Sequence, residues 1–327
     1  MGFDVTRGSA IVSVLAAAAL PAASRAASGS ATLQNYTALK GEVKLALYRK
    51  SLPSTTPKPV LVLVHGSSAG GLTTYDLHVP GGNAYSMMEA FADSFDVWTL
   101  DHEGYARSAR TNGNSDIASG VADLAAATSV IMRETGAKRV HLCGESSGAL
   151  RAGAFAIVYP ERVDRVVLNA LVYTGKGGGT LAKRAQQAEQ YRTHNRRPVD
   201  HDFYVSIFTR DKAGTSDPAV AEAYAASELQ YGDSVPTGTY LDMVTKLPIV
   251  DPSKLTTPTL VIRGEYDGIA TEADVLDFFS RLPSADRQFV IIPGAAHSSG
   301  FSYNRERFWY AVRAFLNAPP RRDVSSA

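Results

Sequence analysis

A serine hydroxyl is a weak nucleophile at neutral pH and attacks a carbonyl only when a neighbouring base takes its proton. The segment Gly144-Glu145-Ser146-Ser147-Gly148 offers such a serine. A sharp strand-to-helix turn forces its serine into strained backbone geometry, so the residues two before and two after must lack bulk. Gly144 and Gly148 meet that demand. A Gly-x-Ser-x-Gly string alone arises by chance in many Gly- and Ser-rich loops, so its flanks decide. Val140-His141-Leu142-Cys143 reads as the preceding strand, and Gly148, Ala149, Ala152, Gly153 and Ala154 as a following helix packed close to a sheet. Ser146 is the candidate nucleophile.

The elements that must hold this turn lie upstream. Pro59-Val60-Leu61-Val62-Leu63-Val64 is an unbroken apolar run, the pattern of a strand buried on both faces, and it leads into His65-Gly66-Ser67-Ser68. Phe95-Asp96-Val97-Trp98-Thr99-Leu100 leads into Asp101-His102-Glu103-Gly104-Tyr105-Ala106-Arg107-Ser108. With these strands and loops the chain resembles the α/β-hydrolase fold family in its lipase and esterase branch. That branch carries a His-Gly loop after one strand and an Asp-x-x-Gly-x-x-x-Ser loop after the next. The chain departs from it at Glu103 and Ala106, where the family commonly has Arg and Gly. The resemblance covers about residues 35 to 317. It implies an α/β fold: a mostly parallel eight-stranded sheet, helices on both faces and a helical cap insertion.

In this fold the serine is followed along the chain by an acid and then a histidine. Thr259–Gly264 and Phe289–Ile292 read as buried strands, and Asp267 and His297 stand just past their ends, on the carboxyl edge where open α/β sheets bind ligands. The resemblance makes Asp267 the orienting acid and His297 the general base. Glu265 is the rival acid. His65 and His141 read as structural, whereas His102 sits on a loop that also faces the site. Acyl transfer builds negative charge on the carbonyl oxygen, and fixed donors aimed at it contribute a factor of about 100 to 1,000 in rate. The expected donors are the backbone N–H groups of Ser147 and Ser67, with Ser68 the alternative to Ser67. Ser68, Tyr105 and Glu145 are candidate substrate contacts.

The 327 residues, 45% hydrophobic and 20% charged, suffice for one large α/β domain with an insertion. A formal charge of +1 and no Lys/Arg-rich run disfavour nucleic acid as a partner. The single Cys143 allows no internal disulfide and reads as a small buried hydrophobe. No metal-ligand spacing or phosphate-binding signature appears, so neither metal nor cofactor is expected. Ala10–Leu20 forms an apolar segment too short for a membrane span, followed by Pro21 and small residues, which reads as a signal peptide over residues 1–26. An exported protein without stable membrane insertion is expected.

The organisation follows: residues 31–173 and 255–317 as core, 174–254 as helical cap and 318–327 as tail. Helices are expected over 84–95, 116–136 and 147–159 in the core, and over 181–193, 202–209, 218–230 and 240–246 in the cap, with 232–238 a loop. Phe203, Tyr204, Phe208, Tyr224, Tyr231 and Tyr240 could line a pocket, although their helical spacing fits packing at least as well. A serine implies an acyl-enzyme and hydrolysis of a small-molecule ester. Lactonase, thioesterase, amidase, acyltransferase and carbon–carbon hydrolase readings share the machinery, and a receptor of the same fold with negligible turnover is the alternative from another class.

Overall fold

The computed structural model describes residues 31–321. The expected signal peptide and the last six residues of the tail lie outside the described residues. Strands β1 (Gln34–Lys40) and β2 (Val43–Lys50) form an antiparallel hairpin, and β3 (Val60–Val64) is buried at every position. Next come α1 (Gly71–Tyr75), a two-stranded ribbon of β4 (Asp76–Val79) and β5 (Gly82–Ser86), α2 (Met87–Phe91) and β6 (Asp96–Leu100). The pattern then repeats as α3 (Ile117–Thr135), β7 (Val140–Glu145), α4 (Ser147–Val158) and β8 (Val163–Asn169).

The cap contains α5 (Gly179–Ala185), α6 (Ala188–Thr193), β9 (Arg196–Pro198), α7 (His201–Thr209), α8 (Pro218–Leu229), β10 (Ser234–Pro236) and α9 (Gly238–Thr245). The core resumes with β11 (Thr259–Gly264), α10 (Glu272–Ser280), β12 (Arg287–Ile292) and α11 (Arg305–Leu316).

Eight strands form one sheet in the order β1-β2-β6-β3-β7-β8-β11-β12. From β6 to β12 every neighbouring pair is parallel, while β1 and β2 join antiparallel at one edge. The two-residue period of a strand explains how one sheet serves two cores. Val60, Val62 and Val64 pack with Leu124 and Ile131 of α3 and Phe155 of α4, whereas Leu61 and Leu63 point the other way, toward Phe91 of α2 and Phe308 and Phe315 of α11. Both faces are therefore covered by helices, and the apolar runs that marked these strands are the consequence.

Three expectations need correction. Residues 84–95 are not one helix: Gly81 at φ +102 reverses the chain into β5, and Ser86 then accepts from the Glu89 amide to start a helix that ends at Phe91. The stretch 181–193 is two helices, α5 and α6. Residues 232–238 are not wholly loop, since Ser234 to Pro236 pair antiparallel with Pro198 to Arg196. The cap aromatics mostly pack together, with Phe208 and Phe301 edge-on to Tyr224 at 5.3 and 5.5 Å. Among the described residues no helix is long and apolar enough to cross a membrane.

Candidate active site

Ser146 occupies the turn between β7 and α4 with φ 58 and ψ −122. A non-glycine residue there stores about 1–3 kcal/mol of strain and persists only where its surroundings hold it. The holding is visible. The Ser146 amide donates to the carbonyl of Asn169 at the end of β8, at 2.9 Å. A Cβ on Gly144 would come within 2.3 Å of the Gly148 carbonyl oxygen, and one on Gly148 within 2.1 Å of that of Val64. The two glycines let β7, α4 and β3 meet at backbone contact.

His297 and Asp267 meet beside this turn. His297 Nδ1 donates to Asp267 Oδ1 at 2.9 Å, and both side chains are buried. With its proton on Nδ1, the neutral imidazole keeps a lone pair on Nε2. Asp267 also accepts from the Ile269 amide at 3.0 Å, while Arg263 donates to the Asp267 carbonyl at 2.9 Å and fixes the loop from below. Burial alone would raise the Asp267 carboxyl; His297, the Ile269 amide and Arg263 outweigh it and hold the group below the usual aspartate range. Glu265 accepts instead from the Gly294 amide at 2.8 Å, on the exposed side of the turn.

The other histidines of the site region belong to its support. The His102 amide donates to His65 Nε2 at 3.0 Å, so that nitrogen carries no proton, and His65 Nδ1 donates to the Gly66 carbonyl at 2.8 Å. His102 Nδ1 lies 3.0 Å from Asp123 Oδ2. Both rings are fully buried, and burial, reinforced by nearby Arg151, drives their basicity well below the ordinary histidine value.

The loop after β3 is tied to the elbow by a contact that sequence spacing did not reveal. The Ser67 hydroxyl donates to the Ser147 hydroxyl at 2.7 Å, so the two expected donor residues are linked through their side chains. Tyr105 donates to the Ser67 carbonyl and Tyr204, from the cap, to the Ser68 carbonyl, each at 3.0 Å. Tyr105 does not line the cavity; it stands behind the loop, fully buried. The following loop closes through its motif residues, since Asp101 accepts from the amides of Gly71 and Arg107 and Ser108 donates to the Asp101 carbonyl. Ala106 takes the left-handed φ of 35 where the family commonly has glycine, and Glu103 pairs with Lys40.

Ser146, His297, Gly66, Ser67, Ser68 and Glu145 line one cavity. The cap adds Arg184, Ile207, Arg210, Tyr224 and Tyr240 to its wall. Of the six aromatics singled out in the cap sequence only these two tyrosines reach it. Burial pushes the Glu145 carboxyl up to about 7, with Asp267 adding repulsion while His297 and the Asn169 amide pull it back. Asp211 brings a third ligand-type group within 4.8 Å of Asp267 and His297, but those two already satisfy each other.

Residues 55–301 match a family model described as serine aminopeptidase, S33. Two curated relatives, both described as 2-hydroxy-6-oxononadienedioate/2-hydroxy-6-oxononatrienedioate hydrolase, match shorter stretches. The protein of Paraburkholderia phymatum is 31% identical over 159 residues, 46% of either chain. That of Burkholderia vietnamiensis is 32% identical over 133 residues, 38% of either chain. The chain thus spans less than half the length of these relatives. Among solved structures, a thermophilic esterase of Thermogutta terrifontis superposes with a TM-score of 0.66 at 23% identity, covering 86% of this chain and 98% of that one. A 2-hydroxy-6-oxo-6-phenylhexa-2,4-dienoate hydrolase of Rhodococcus superposes with a TM-score of 0.64 at 16% identity, covering 88% and 100%. Those identities speak for the fold alone, and the family match extends the conclusion: the chain belongs to the α/β-hydrolase family described as serine aminopeptidase, S33.

Proposed function

We propose that this hydrolase cleaves a carboxylic ester of a small molecule through an acyl-enzyme on Ser146. The supporting observation is the buried 2.9 Å bond from His297 Nδ1 to Asp267, with His297 and Ser146 lining the same cavity. Ser146 Oγ attacks the ester carbonyl while His297 Nε2 takes its proton. The imidazolium, stabilised by Asp267, returns that proton to the departing alcohol. Water, deprotonated by His297, then attacks the acyl-enzyme, releasing the acid and restoring the Ser146 hydroxyl. The amides of Ser67 and Ser147 are assigned to the oxyanion, and Ser68 and Glu145 to the substrate. Release of p-nitrophenol from esters of increasing acyl length, by wild type and Ser146→Ala, tests this reading. Turnover confined to wild type supports it; equal turnover by both sinks it.

The names of the two curated relatives favour a second reading, carbon–carbon bond hydrolysis with the same residues. The sequence Glu145-Ser146-Ser147-Gly148 differs from the Asn-Ser-Met-Gly often found in such hydrolases. A 2-hydroxy-6-oxodienoate separates the readings, because cleavage abolishes its conjugated absorbance. The apolar segment Ala10–Leu20 supports export, tested by whether the chain recovered from expressing cells begins at Ala27.

A further inference from the structure

The cap side of the cavity carries two arginines that ester hydrolysis does not use. Arg184 of α5 and Arg210, just past α7, line the same cavity as Ser146 and His297. The Arg184 guanidinium lies 4.0 Å from the centre of the Tyr240 ring, and that of Arg197 lies 4.1 Å from it. Arg184 pairs with no carboxylate among the described residues. Arg210 Nε is 3.5 Å from Asp211 Oδ1 and has no hydrogen-bond partner. Asp211 is the ion-pair partner of Arg210, Asp267 lies behind His297 and burial keeps Glu145 partly protonated near neutral pH, so Arg184 is the cavity arginine left without a carboxylate partner among the described residues. Burial and the neighbouring Arg210 and Arg197 pull Arg184 below the usual arginine range. Burial would raise the Tyr240 hydroxyl, yet Arg184, Arg197 and Arg210 together draw it down to about 7. Tyr240 and Asp211 offset part of this charge, and an anion entering the cavity beside Arg184 would relieve the repulsion that remains among the guanidinium groups.

We propose that Arg184 and Arg210 bind a carboxylate carried by the substrate itself, so that the enzyme acts on half-esters of short dicarboxylic acids. The inference rests on the ester-hydrolase reading and narrows it. Guanidinium groups suit a carboxylate because their planar forks donate two parallel bonds. The rest of the wall is mixed, with Ser67, Ser68 and Thr74 polar and Ala69, Ile207 and Ile269 apolar, as a short acyl chain with a charged end requires.

Monoethyl glutarate and ethyl valerate, nearly equal in shape and different in charge, provide the test by acid release in a pH-stat. Wild type should favour the half-ester at least about tenfold in kcat/KM, the scale of one charge-assisted contact. Arg184→Gln and Arg210→Gln should each reduce that preference about tenfold, chiefly through KM, with Arg184→Lys retaining part of it. Added salt should also shrink the preference. Turnover of both esters without preference for the anion overturns the inference and leaves ester hydrolysis standing, with Tyr240 as the arginines' own counter-charge. If neither ester turns over, ester hydrolysis fails as the reading, and calorimetry with glutarate decides the anion site separately. Binding weakened by Arg184→Gln upholds it, and absence of binding removes it.

Discussion

Ser146, Asp267 and His297 stand one, three and five residues past the ends of β7, β11 and β12, whereas Arg184 and Tyr240 lie within helices α5 and α9 of the cap. The first group is placed by backbone. Strand ends, a strained elbow and glycines at carbonyl contact leave those side chains little choice of position. The second group is placed by side-chain packing, with guanidinium groups resting on an aromatic ring. Two kinds of anchoring at one cavity imply two kinds of mutational response: changes at the sheet edge should remove turnover for every substrate, and changes in the cap should alter which substrate is turned over.

The largest effect should come from the sheet edge. Ser146→Ala should lose at least about 1,000-fold in turnover and Asp267→Asn somewhat less, for charged and neutral esters alike. A loss restricted to one ester class would erase the distinction. Gly148→Ala should cost about 1–3 kcal/mol or more, read as a lowered denaturation midpoint, because its Cβ would meet the Val64 carbonyl at 2.1 Å. An unchanged midpoint would show that the elbow yields.

Acid should also weaken the sheet edge. His65 and His102 are held neutral by burial, so their folded pKa values lie below the unfolded value of about 6.5. As pH falls below about 6.5 the unfolded chain takes up protons that the folded chain refuses. Stability present above that pH is then lost at up to about 1.4 kcal/mol per unit for each histidine. Urea midpoints at pH 7.5 and 5.5 measure this, and a higher midpoint at the lower pH would contradict it. The smallest effect belongs to Tyr105→Phe, which removes one bond to the Ser67 carbonyl and should cost about 1 kcal/mol of stability. A similar fall in kcat with KM unchanged would show that this tyrosine positions the oxyanion loop.

The same contrast explains what could be read from the sequence. Apolar runs ending in polar turns mark strand ends, and strand ends on one edge of a parallel sheet converge, so the approach of the turns carrying Ser146, Asp267 and His297 was legible in the pattern. The choice between Asp267 and Glu265 needed the resemblance, because two residues along a turn can point to opposite sides. The ribbon of β4 and β5 was missed because a four-residue strand carries too little periodicity to compete with a helical pattern. Arg184 and Arg210 were missed for another reason: helical spacing tells which face of a cap helix packs, and nothing local tells which face meets a cavity built by residues far away in sequence. Tyr105 was expected at the substrate, yet it stands behind the loop and spends its hydroxyl on the Ser67 carbonyl.

The most direct test of the central claim is covalent trapping. After reaction with an alkyl fluorophosphonate, the protein should carry one adduct, located by peptide mass at Ser146, with activity lost in proportion and no adduct on Ser146→Ala. An adduct elsewhere, or full activity after complete labelling of Ser146, would contradict the assignment of Ser146 as the nucleophile.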